Sequence, residues 1–220
     1  MLVDGASVRV DPAATVVAGW TGRNLDAVQH HIDELAAIGV APPSEVPLYY
    51  RVATGLLTQD DTIEVVGEDT SGEAEPLLLE GPDGLLIALA SDHTDRALEA
   101  HSVALSKQAC AKPISSDAWT LTSVVDRLDT LRLRSWIADA DGDWQLYQDG
   151  TLAQMRPLES LLEGARATAS LEPRAILCGT VPTVTGAIIP SARFRCSLDD
   201  PQGGRTLSLS YAIRTLPHVS

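Results

Sequence analysis

The feature that most constrains this chain is a series of short apolar or β-branched runs, each closed by turn residues and seldom separated by a helical stretch. They are "TVVAGW" (15–20), "VPLYYRV" (46–52), "TIEVVG" (62–67), "GEAEPLLLE" (72–80), "LLIALAS" (85–91), "TLRLRSWIA" (130–138), "AILCGT" (175–180), "ARFRCSL" (192–198) and "RTLSLSYAIRTL" (205–216). Runs of this length and composition read as strands. Helical periodicity is confined to a few places. Residues 23–39 carry Leu25, Val28, Ile32, Leu35 and Ile38 at three- and four-residue spacing, ended by Gly39. Residues 92–108 read as a helix starting near Asp92, residues 116–128 as one capped by Ser116 or Asp117, and "LESLLEGARATA" as a short amphipathic one. Strands outnumber helices and do not alternate with them, so the expected fold is α+β, with mixed or antiparallel sheets. "DG" at 83–84 and at 149–150 predicts a hairpin turn at each place.

No linker or repeat divides the 220 residues, which reads as one domain over 15–220 behind an N-terminal extension of residues 1–14. With only 4% aromatic residues, the core must rest on Leu, Val, Ile and Ala. Thirty acidic against 16 basic residues give a net charge of -14, which repels phosphate backbones and argues against a nucleic-acid partner. No stretch approaches a membrane span, and "MLVDGASVRVDP" lacks the pattern of a secretory leader, so the expectation is a cytoplasmic protein without a membrane partner. Cys110, Cys178 and Cys196 form no C-x-x-C pair and read as reduced thiols.

The chain has no G-x-S-x-G, H-E-x-x-H, phosphate-binding glycine loop or dinucleotide fingerprint. Its chemistry-bearing residues lie elsewhere. Glu73 and Glu75 are two apart in a strand and so share a sheet face; with Asp92 at the end of the next strand they would offer three hard oxygen donors, suited to Mg²⁺, Mn²⁺ or Ca²⁺. Alternating glutamates are also what the solvent face of a strand displays. His31 and Glu34 lie three apart on the first helix, a spacing that suits a dyad and also arises by chance; His30 and Asp33 repeat it one residue earlier. His93 suits either a ligand or a helix end, and Lys107 suits a surface lysine.

Taken in order, these segments resemble the catalytic domain of the fumarylacetoacetate hydrolase superfamily, and within it a bacterial branch of unknown function. "GWTGRNLDAVQHHIDELAAIGVAPPSEVPLYYRV" is similar to that family's "GLNYxxHxxExG…PxxPxLFxKP", with His31 and Glu34 on the H-x-x-E. "SGEAEPLLL" resembles its E-x-E strand, "SDHTDRA" its "NDxSxRD", "KQACAKPISSDAW" its lysine segment, and "LCGTVPTVTGAI" its "TGTPxGVG". The motif tyrosine before the histidine is replaced here, "GPW" is reduced to "DAW", and the proline after Gly-Thr is displaced to Pro182.

The resemblance implies a strand-rich β-roll of mixed sheets with peripheral helices, commonly a homodimer. It implies Glu73, Glu75 and Asp92 as ligands of Mg²⁺ or Mn²⁺, with His31, Glu34 and Lys107 catalytic and Arg96, Gly179 and Thr180 at the substrate. The implied reaction is hydrolytic cleavage of a C–C bond in a 2-oxo acid of the acylpyruvate type. The alternatives are decarboxylation, hydration or isomerisation at the same metal site, or metal and 2-oxo acid binding without turnover.

Overall fold

The structure, a computed structural model, describes residues 1–37 and 41–219, and the side chains of all of these except His31, Glu34 and Leu35. Among the described residues a nine-stranded sheet runs in the order Ala6–Ser7, Leu2–Val3, Lys112–Thr120, Gly84–Ser91, Ala74–Gly81, Arg174–Leu177, Ala14–Gly19 and Leu48–Val52, with Leu57–Thr58 joined to Lys112–Thr120. It is mixed: Arg174–Leu177 lies parallel to Ala14–Gly19 and antiparallel to Ala74–Gly81. A five-stranded sheet follows the order Gln145–Thr151, Arg132–Ala138, Arg193–Asp200, Arg205–Leu216 and Thr62–Val66.

The two central strands of the larger sheet explain why their sequences are unbroken apolar runs. Both faces are buried, and the period of two sends alternate residues to different cores. Leu78, Ile87 and Leu89 join Leu133, Phe194 and the helix residue Leu161 in one core. Leu77, Leu79, Ala88 and Ala90 join Val17 and Leu177 in the other. The helix Leu158–Thr168 packs through Leu158, Leu161, Leu162 and Ala165, the stripe that its sequence spacing predicts. The first helix runs Leu25–Ala37, capped by Asn24 Oδ1, which accepts from the backbone N–H of Asp26 and of Ala27. Its expected stop at Gly39 lies outside the described residues.

Three expectations are overturned. Residues 116–128 are not a helix: Lys112–Thr120 is a strand in which Ala118 and Trp119 face opposite cores, followed by 3-10 turns at Leu121–Ser123 and Val125–Thr130. Ser116 and Asp117, expected as caps, sit exposed in the bulge between the pairings Ile114–Ala90 and Ala118–Ala88. The second hairpin turns over residues 139–144, whereas Asp149 and Gly150 run through a strand opposite Arg134 and Leu133. Residues 92–108 are not one helix but two, Arg96–Glu99 and Val103–Ala109, capped by Asp95 and Ser102 side chains that accept from Leu98 and Leu105 N–H. Asp92 is left at a strand end.

Residues 1–14, the expected extension, contribute Leu2–Val3, which pairs in parallel with Asp117 and Ala118. No helix among the described residues is long and apolar enough to cross a membrane.

The two sheets are fastened by Gln148. Its Oε1 accepts from Ala74 N–H (3.0 Å) and Ser135 Oγ (2.7 Å), and its Nε2 donates to Thr180 Oγ1 and Val181 O (both 2.7 Å). Three of the four bonds are buried and the one to Thr180 is partly so, and a side chain without polar atoms would strand several groups at once. Gln148→Leu is expected to destabilise the protein by about 2–4 kcal/mol, read as a melting temperature lower by roughly 5–15 °C.

Candidate active site

The site stands at the open end of the hairpin formed by Ala74–Gly81 and Gly84–Ser91. Register sets it: Ala74 lies opposite Ser91 and Glu75 opposite Ala90, so the next residues, Glu73 and Asp92, meet beyond the last pair. Asp92 N–H donates to Glu73 O at 3.0 Å. Glu73, Glu75 and Asp92 each bring one carboxylate oxygen within 4.8 Å of the others. Glu75 and Asp92 are buried and Glu73 is half-buried, so the bland solvent-face reading does not describe them.

The chain has two lysines, Lys107 and Lys112, and both ammonium groups sit on Asp92. Lys107 Nζ donates to Asp92 Oδ2. Lys112 Nζ lies 3.0 Å from Asp92 Oδ1 and donates to His93 O at 2.5 Å. Among the described residues Oδ1, with two lone pairs, meets only this ammonium, which leaves that buried oxygen with unused accepting capacity. Lys107 is therefore no snorkelling surface lysine. Lys112 was not singled out from sequence; its only signal there is that a 220-residue chain places both of its lysines within six positions.

These neighbours pull the carboxyl groups apart. Burial alone would raise Asp92, but the Lys107 and Lys112 ammoniums outweigh it and hold the carboxyl well below the usual range. Glu75 is pushed well above its ordinary value by burial and by the nearby charges of Asp92 and Glu73, against the opposing pull of Lys107 and a backbone N–H. That N–H belongs to Gly179, 2.7 Å from Glu75 Oε2. Gly179 has φ +87°, and a Cβ there would overlap Thr21 Oγ1, so glycine alone lets this backbone reach the carboxylate. Thr180 follows, donating from Oγ1 to Ala74 O at 2.7 Å.

Arg96 is held by Ser71 Oγ (2.7 Å), Glu99 (2.8 Å) and Glu73 Oε1 (3.3 Å). His93 packs beneath the site, Nδ1 3.0 Å from Tyr211 Oη and Nε2 2.9 Å from Thr70 Oγ1. Glu73, Glu75, Asp92, Lys107, Arg96, Gly179 and Thr180 thus form one connected set. His31 and Glu34 lie on the Leu25–Ala37 helix, and their side chains lie outside the described residues. Neighbouring His30 and Asp33 are exposed, and Asp33 accepts from Gln29 Nε2 at 2.9 Å.

Three hard oxygen donors at this spacing, mutually repelling and mostly out of water, suit a small divalent cation. It would relieve the repulsion that lifts Glu75 and use the idle lone pair of Asp92.

Fold and site define a strand-rich α+β protein with a buried acidic cluster set against two lysines. Residues 18–211 match the family described as protein of unknown function DUF2848, and the chain belongs to that family. No curated protein matches the sequence. Among solved structures it is similar to a hexagonal crystal form of 2-keto-3-deoxyarabinonate dehydratase, with a TM-score of 0.66 and 14% identity over 94% of this chain and 75% of that one. It is also similar to the apo form of 2-keto-3-deoxy-D-arabinonate dehydratase (TM-score 0.64, 14% identity, 94% and 74% covered). A third structure, that dehydratase complexed with magnesium and 2,5-dioxopentanoate, gives a TM-score of 0.62 at 14% identity, with 94% and 75% covered. The fold is accordingly the fumarylacetoacetate-hydrolase-like fold of these dehydratases.

Burial, followed by the Lys112 and Arg96 charges, lowers His93 from an ordinary 6.5 to about 3. Between those values the unfolded chain binds a proton that the folded one refuses, so stability is full above 6.5 and is lost as pH falls toward 3. In EDTA, wild type is expected to lose about 1.4 kcal/mol per pH unit more than His93→Asn over this window, measured by urea unfolding at stepped pH.

Proposed function

We propose that this protein is a divalent-metal-dependent hydro-lyase that removes water from a 2-oxo acid bearing a hydroxyl on C4. The observation that carries the reading is the Glu73, Glu75 and Asp92 cluster with Lys107 bonded to it, on a fold shared with a dehydratase solved with magnesium and 2,5-dioxopentanoate. Hydrolytic C–C cleavage, the first expectation from sequence, has no comparable support; the hydration alternative, run in the direction of water loss, has this one.

In this reading Glu73, Glu75 and Asp92 hold Mg²⁺ or Mn²⁺, which when bound supplies electrostatic stabilisation for negative charge at the 2-oxo oxygen. Loss of a proton from C3 places that charge on the substrate, and departure of the C4 hydroxyl with a proton leaves the product one water lighter. Lys107 Nζ, carried on the seven-residue helix Val103–Ala109, neutralises the developing charge. Lys112, fixed in a strand and bonded to His93 O, keeps Asp92 countered meanwhile. Arg96 and the Gly179–Thr180 turn act by fixing Glu73 and Glu75 from behind. His31 and Glu34, the pair that the sequence resemblance implies, carry the proton transfer in this proposal. Assembly as a homodimer, implied by the sequence resemblance, belongs to the same proposal.

With Mg²⁺, 3-deoxy-2-oxo sugar acids are expected to give products lighter by one water in mass spectra, with EDTA abolishing the conversion. Lys107→Met should lower turnover about a hundredfold or more while the protein stays folded, because Lys112 still faces Asp92. Release of pyruvate and a carboxylic acid from an acylpyruvate, with no water lost from the sugar acids, would assign C–C hydrolysis instead.

A further inference from the structure

Beside Lys107 stands a feature that the proposed reaction leaves unused. Trp20 has φ +62°, a left-handed backbone unfavourable for a bulky residue and sustained only where the surroundings enforce it. Its indole N–H is directed at Tyr50 Oη, 3.4 Å away, and the Tyr50 ring lies 5.8 Å from Lys107 Nζ. The Tyr50 ring can lie across the neighbouring strand because Gly19 has no side chain; a Cβ there would stand 2.9 Å from Tyr50 Cε2. Both rings are only half-buried. Since the indole donor is turned to the phenol oxygen, the pair offers ring surface more than hydrogen bonds. Among the described residues, the lysines and Arg96 each face protein carboxylates: Lys107 and Lys112 face Asp92, and Arg96 faces Glu73 and Glu99.

Building on the 2-oxo acid reading above, we propose that Trp20 and Tyr50 form an aromatic wall that receives the substrate chain beyond C3. The wall makes the site selective for 2-oxo monocarboxylic acids with an uncharged chain over 2-oxo dicarboxylic acids. An uncharged chain gains apolar contact on the rings, whereas a distal carboxylate would lose water there without meeting a cation of its own.

Calorimetry on the Mn²⁺-loaded protein with pyruvate, 2-oxovalerate and 2-oxoglutarate tests this. The last two have the same length and differ in the charge at the far end, and neither has a C4 hydroxyl to lose, so binding is read without turnover. Wild type is expected to bind 2-oxovalerate about tenfold more tightly than pyruvate, the effect of burying two further carbons, and more tightly than 2-oxoglutarate. Trp20→Gly, which relieves the backbone strain as it removes the ring, and Tyr50→Leu should each bring 2-oxovalerate close to pyruvate while leaving pyruvate within about twofold. Equal or tighter binding of 2-oxoglutarate in wild type would overturn the wall, as would variants that weaken pyruvate and 2-oxovalerate by the same factor. Pyruvate bound with no preference for the longer acid defeats the wall alone. Failure of all three acids to bind defeats both the wall and the 2-oxo acid reading beneath it.

Discussion

The structure around the site depends on one buried carboxylate. Asp92 has no contact with water, and ionised burial of that kind is tolerable only with close opposite charge. Removing one partner of a buried pair generally costs about 3–5 kcal/mol. Here both lysines of the chain serve the same acid. Pairing wins over desolvation at Asp92. At Glu75, which accepts a backbone N–H but lies in no ion pair among the described residues, desolvation and like charge win. Two carboxyl groups of the same cluster are thereby driven in opposite directions by their surroundings, a pattern characteristic of sites that handle charge and protons.

The scaffold holds that balance from several elements at once. Hairpin register aligns Glu73 with Asp92, and Gln148 ties the smaller sheet both to Ala74 and to Thr180. Lys112 rises from a strand of the larger sheet, paired on both sides, whereas Lys107 is carried on a short helix beside the half-buried Tyr50. With two cations on one carboxylate, the acid stays countered by one when the other serves a ligand.

Much of this was legible in the sequence. The strand runs were visible because central strands buried on both faces are unbroken apolar segments, and the E-x-E spacing placed two carboxylates on one face. The failures share a cause, which is that tertiary pairing overrode local signals. "SSD" before "AWTL" has the composition of a helix cap, yet Trp119 and Ala118 are each claimed by a different core, and the polar residues are pushed out as a bulge. Asp149-Gly150 has the composition of a turn, yet Asp149 is held in its strand by Arg132 at 2.6 Å. Lys112 was illegible because nothing local distinguishes a lysine that enters a strand to meet an acid twenty residues earlier. The Trp20–Tyr50 contact was illegible for the same reason, being a pairing across two strands and a left-handed turn.

The claim that the acidic cluster is built for a cation is tested most directly by the melting temperature of EDTA-treated protein as Mn²⁺ is added. A ligand that binds only the folded chain raises stability with the logarithm of its concentration, by about 2.7 kcal/mol at a hundred times its dissociation constant. The expected result is a rise of several degrees by millimolar Mn²⁺ in wild type, and none in Glu73→Gln/Glu75→Gln. An unmoved wild type, or an equal rise in the double variant, would contradict it.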